Sequence, residues 1–148
     1  MSISNDKEFK TALAALPIAR QRQLAAAFAR RVFGLSNDAR VKAALDAAQR
    51  ADVADVELSL VAQAAQSARV ESFTQCGQDT GWTAQAGHFV AKAAVACVRA
   101  AEEGENIAWD AAMQARLART CQSVADGDGT DNSEAEAQYR ILETFLTS

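Results

Sequence analysis

The chain has 148 residues, 35 of them alanine and one proline, and a formal net charge of −4. That length suits one ordinary domain, large enough to bury about two-thirds of its unfolded surface without disulfide or metal staples. Lys and Arg are scattered, which excludes a phosphate-backbone footprint for nucleic acid and the basic amphipathic pattern of an anionic-membrane binder.

Alanine is the best helix former, so the composition predicts an all-α protein whose helices approach closely. Asn5-Asp6-Lys7-Glu8 opens a first helix with Phe9, Leu13 and Leu16 on one stripe. Pro17 suits the first turn of a second helix, where Leu24, Phe28 and Val32 recur before Gly34, a candidate left-handed stop. Arg30 and Arg31 sit near that C-terminus, where positive charge meets the helix dipole favourably. Ser36-Asn37-Asp38 opens a third helix with Val41, Leu45 and Ala48 inward. Asp52 is placed to cap a fourth, with Val56, Leu60, Ala64 and Ala68 as its stripe and an end near Phe73.

A polar break follows, Ser72-Phe73-Thr74-Gln75-Cys76-Gly77-Gln78-Asp79-Thr80-Gly81-Trp82. From Trp82 to Ala101 the polar residues Gln85, His88, Lys92 and Arg99 share a stripe only about 60° wide at 100° per residue. The rest of that segment is almost entirely apolar, which predicts a buried central helix with one narrow wet edge and Trp82 packed into the core. Gly87, Ala91, Ala94 and Val98 line a flank where another helix can come close. Gly104 ends this helix and Asn106 caps the next, whose stripe is Trp109, Met113, Leu117, Cys121 and Val124. The loop Asp126 to Asn132 leads to a Ser133-x-x-Glu136 capping box and a last helix with Ile141, Leu142, Phe145 and Leu146 inward. The expectation is one all-α domain over residues 1–148, a bundle of six or seven helices around a central buried one.

Motifs for chemistry are sparse. The Asp126 loop has acids at EF-hand positions 1 and 3, but Asp131 stands where the turn glycine belongs and Ala137 where the bidentate glutamate belongs. It reads as a solvated capping loop. Close Cys or His pairs of the zinc kind are missing, and so are Glu-x-x-His, phosphate-loop and nucleophile-elbow patterns. No metal, cofactor or catalytic set is therefore expected. Two readings of the polar break stay open. In one it is a hinge, with Cys76 at a helix end and Gly77 its cap. In the other Cys76, Asp79, Trp82, Gln85, His88 and Lys92 line a pocket for a small molecule or metal, with a Cys–His pair as possible chemistry. The neutral surroundings of Cys76 do nothing to activate its thiol, which favours the hinge.

Cys97 and Cys121 lie on apolar stripes and read as buried small hydrophobes. An odd number of widely spaced cysteines is not a disulfide framework, and MSISNDKEFK lacks the features of a signal peptide, so reduced thiols in a cytoplasmic protein are expected. Glu102, Glu103 and Glu105, with Asp126, Asp128 and Asp131, offer acidic surface to a protein partner.

Two segments, Phe28 to Ala48 (FARRVFGLSNDARVKAALDAA) and Ala86 to Ala93 (AGHFVAKA), are similar to blocks of alanine-rich immunity proteins of bacterial polymorphic toxin systems. Val32, Asp38, Arg40, Ala44 and Leu45 match the first block, and Ala86, Gly87, His88, Val90, Ala91 and Ala93 the second. The chain lacks that family's cysteine near Phe28 and its proline after Arg40. The resemblance covers about a third of the chain. It implies an all-helical, acidic, cytoplasmic binding protein with no catalytic residues carried over and a toxin as the candidate partner. Apart from the resemblance, the small-residue helix faces leave self-association open as a further reading.

Overall fold

The computed structural model describes residues 2–78, 81–102 and 104–147. Seven α-helices follow one another: α1 (Asp6–Ala14), α2 (Ile18–Arg30), α3 (Ala39–Gln49), α4 (Asp55–Gln78), α5 (Trp82–Val98), α6 (Ile107–Ala125) and α7 (Glu134–Thr147). A 3₁₀ turn, Phe33–Leu35, joins α2 to α3, and no strand occurs among the described residues. The molecule is a single-domain helical bundle, as its composition demands.

Local chemistry sets most boundaries. Asn5 Oδ1 accepts the Glu8 N–H at 2.9 Å and starts α1. Pro17 occupies the N-cap of α2 with φ −59°, the fixed angle that leads a chain into a helix. Asp38 and Asn106 cap α3 and α6 through their side chains. Gly104 turns the chain after α5 with φ +86°, which a residue with a Cβ rarely adopts. Gly34 has no positive φ and sits inside the 3₁₀ turn, so α2 ends through Arg31 and Val32 N–H groups folding back rather than on a glycine cap. Asp52 is not the cap of α4, whose first bond runs from Leu58 N to Ala54 O. At α7 the Glu134 N–H donates to Asn132 Oδ1, where a Ser133 capping box was expected.

α5 is the hub. It packs against α2, α3, α4 and α6, and Ala86, Val90, Ala91, Ala93, Ala94, Ala96, Cys97 and Val98 are buried along it. Gly87 marks a close approach to the 3₁₀ turn, where a Cβ would lie a tight 3.3 Å from the Leu35 carbonyl oxygen. The N-terminal turn of α5 protrudes from the bundle, and Trp82 is 48% exposed rather than packed in the core.

Three predicted stripes are rotated. On α4, Val56 and Leu60 are 73% and 61% exposed, while Leu58, Val61, Ala62, Ala65 and Ala68 face inward. On α6 the buried set is Ile107, Ala108, Ala111, Ala112, Ala115, Ala118 and Cys121, with Trp109 and Met113 at the flanks and Leu117 exposed. On α7 the buried side chains are Glu134, Gln138, Tyr139 and Leu142, and Leu146 faces out. On α4 and α6 the closest contacts are made by alanines, and large apolar residues are displaced to the margins. On α7 the shift is smaller, since Leu142 is buried as expected and Ile141 and Phe145 still pack partly against the core.

Buried polar groups tie the outer helices down. Glu134, 2% exposed, accepts from Arg31 on α2 and Arg119 on α6. Gln138 is fully buried, donating to Ala112 O and accepting from Arg116 Nε. Arg116 then forks onto Asp6 at 2.9 and 3.0 Å, within 6 Å of the Phe9, Trp109 and Tyr139 rings. Phe9 itself packs between Phe28, Trp109 and Tyr139, which anchors α1 to three other helices.

Candidate functional site

α4 runs through Cys76 and Gly77 to Gln78, five residues beyond its expected end, because its last turns have partners on α5. The two helices are antiparallel, and their contacts fall on rungs. Ser72 Oγ lies 2.9 Å from His88 Nδ1, and one turn further along Cys76 Sγ donates to Ala84 O at 3.3 Å. The polar break is therefore shorter than its sequence suggests: most of it is helix, and the hinge itself lies around Gly81, the N-cap of α5.

The rungs place His88 and Cys76 about one helical turn apart along the α4–α5 contact. His88 pairs with Ser72, and its ring sits 5.7 Å from Phe73 and 5.9 Å from Phe89. Burial, with the Lys92 and Arg69 charges behind it, pulls the His88 pKa below its usual value, so the imidazole is neutral at pH 7. Ser72 Oγ lies 2.9 Å from Arg69 O. The same Oγ faces His88 Nδ1, so the hydroxyl stands between a backbone carbonyl and the imidazole, and the donor of that second contact is set by the ring tautomer. Cys76 is half-buried on the neighbouring rung. Cys97 is fully buried, with its thiol pushed up to about 12 by desolvation, and Cys121 is 5% exposed. Among the described residues no three His, Cys, Asp or Glu side chains gather into a set that could hold a metal ion. Asp79 lies outside the described residues.

The wet edge of α5 is real, and it opens between α4 and α6. Lys92 and Arg99 line a shallow cleft of about 300 Å³ with Arg69, Asp110 and Gln114. Gln85 and His88 are half-buried on the same edge, and Lys92 lies over the Phe89 ring at 5.6 Å.

The acidic residues divide. Glu105 is paired with Arg99, which also holds Asp110 at 2.7 Å, so this carboxylate fastens the α5–α6 connection. Glu102 is exposed and Glu103 lies outside the described residues. Asp126, Asp128 and Asp131 are all exposed. Gly127 and Gly129 turn the loop with φ of +80° and +77°, and the Asp128 N–H returns to Ser123 O, the geometry of a helix cap.

A surface that sequence reasoning missed lies on α4. Val56, Leu60, Gln63, Ser67, Val70 and Thr74 are all exposed, and they follow one another at steps of four, three, four, three and four residues. This is heptad spacing, which holds side chains on one side of a helix. The seam is free of charge, runs about 27 Å at 1.5 Å per residue, and lies opposite the buried face of α4. Phe73, 67% exposed, and Trp82 extend apolar surface at the C-terminal end of the helix. The signal was present in the sequence as 3–4 spacing, but Val56 and Leu60 were assigned to the core.

Fold and surface together define a helical bundle whose outer helix α4 carries an uncharged, partly apolar seam. Comparison with protein-family models, curated proteins and solved structures finds no match to this chain. No described helix is long and apolar enough to cross a membrane.

Proposed function

We propose that the chain is a noncatalytic binding protein that engages another protein along the outer face of α4. The observation that carries this is the exposed heptad seam from Val56 to Thr74, since clustered apolar surface opposite a helix's own core face is what a partner helix covers. The antiparallel run of α4, α5 and α6 brings Phe73, Trp82 and the Asp126–Asp131 loop to one end of the bundle. A partner with an apolar helix and a basic flank suits that arrangement. The resemblance of Phe28–Ala48 and Ala86–Ala93 to immunity proteins supports a toxin as this partner and neutralisation as the outcome, in the cytoplasm.

A photo-crosslinking residue placed at Leu60 tests the reading in cells that express the chain, with exposed Glu136 on α7 as the control position. The expected result is an adduct with one other protein from Leu60 alone, abolished by Val70→Asp. Adducts with a second copy only, equal adducts from both positions, or none would overturn it.

A further inference from the structure

A groove of about 750 Å³ runs between α4 and the C-terminal half of α5. It meets the heptad seam only at Gln63. Its walls are largely apolar, with Leu58 and Ala62 on one side and Val95 and Val98 on the other. Arg22 of α2 lines it as well, and also lines a smaller neighbouring cavity of about 210 Å³.

Arg22 is an unusual residue to find there. It is 9% exposed and forms no ion pair with a described residue. Its Nη1 donates to the Cys97 and Arg99 carbonyl oxygens at 3.0 and 2.9 Å, the negative end of the α5 dipole. A guanidinium has five N–H donors in a planar fork, so Nε and Nη2 keep three without an acceptor among the described residues. Arg99, the other cation of the groove, is held by Glu105 and Asp110. Asp55 lies on the groove's rim, close enough to act on Arg22 through space but beyond ion-pair distance. Burying a cation with only neutral acceptors is costly, and the open edge of the fork matches the two oxygens of one carboxylate.

We propose that this groove binds an amphipathic monocarboxylate, its headgroup on the free edge of Arg22 and its alkyl body against Leu58, Ala62, Val95 and Val98. The walls select for an apolar tail, because most of a ligand in such a groove loses its water. The same walls select against a second negative charge at the far end of the chain, which would have to shed its water there. The site is separate from the proposed partner surface and does not rest on it.

Titration of the ¹⁵N-labelled protein with octanoate tests this, with octanol and suberate as probes that lack the headgroup or add a second one. The expected result is saturable binding of octanoate, with shifts confined to residues around the groove and affinity at least about tenfold above that of octanol and of suberate. Ser59→Trp fills the groove from an exposed rim position while Arg22 stays in place, and it should abolish the shifts without lowering the melting temperature. Arg22→Met should weaken octanoate by a similar factor if it folds. If it does not, the Ser59→Trp and octanol results decide. No saturable binding, equal affinity for octanol, or unchanged binding to Ser59→Trp would overturn the proposal.

Discussion

Glu134 is a buried carboxylate that two arginines share. Its carboxylate is almost fully buried at the start of α7, and it is held there by Arg31 Nε at 2.8 Å and Arg119 Nε at 3.2 Å. Arg119 also donates to the Arg31 carbonyl, so three helices meet at one negative charge. Removing its charge leaves two partly exposed guanidiniums facing each other without the anion between them. Glu134→Gln should cost about 3 kcal/mol in urea unfolding, near the lower end for a broken buried pair because Arg31 stays 39% exposed and keeps some water. Asp6 is the milder case. Its hydrogen bonds from Arg116 hold its carboxyl below the usual value of 3.8 against the opposing effect of burial, with a lesser help from Tyr139. A depressed folded-state pKa means stability that is present above about pH 4 and lost as pH falls through the lower folded value. Asp6→Asn should therefore lower stability at pH 7 by less than about 1 kcal/mol, since the carboxylate is half-exposed. The difference between the two proteins should hold constant down to pH 4 and shrink below it. A difference that grows on acidification would reverse the assignment.

Among the elements, α2 and α3 were legible because their large residues are also their buried ones. Leu24, Phe28, Val32, Val41 and Leu45 are all 1% exposed or less, as their spacing predicted. The central place of α5 was legible for the same reason, its polar residues being few and in one line. α4 and α6 were not. A stripe of alanines carries no contrast against alanines on the other faces, so the eye follows Val56, Leu60 and Leu117, which the fold turns outward. At the candidate site the partners of His88 and Cys76, which are Ser72 and the Ala84 carbonyl, were not legible, because they follow from how α4 and α5 pack and not from local spacing. Arg22 left no trace at all, because nothing local marks an arginine that will close another helix's C-terminus. Gly87 was read correctly as a point of close approach. Gly87→Val should cost about 1–3 kcal/mol by pushing α5 off the Leu35 carbonyl. The change should be seen in thermal unfolding with helix content retained, and a stabilised variant would show that the approach is not needed.

For the whole molecule the consequence is a division of volume between two parts of one core. Phe9, Leu13, Leu24, Phe28 and Leu45 are fully buried, as are Ala93, Ala94, Ala108, Ala111, Ala112, Ala115 and Ala118, while Val56, Leu60 and Phe73 are more than half exposed. Each alanine buries little apolar area by itself, so along α5 and α6 stability comes from how closely the two helices lie and from dispersion between backbones. Such an interface has no slack. Ala94→Leu adds three carbons where the surroundings cannot recede and should cost at least about 3 kcal/mol, the upper end for overpacking. Val56→Ala, which removes two carbons from a solvent-facing position, should change stability by less than about 0.5 kcal/mol. Paired urea curves for the two variants check the point directly. A larger loss from Val56→Ala than from Ala94→Leu would mean that the outer face of α4 carries structural weight, and the surface proposed to meet a partner would have to be reassigned to the fold.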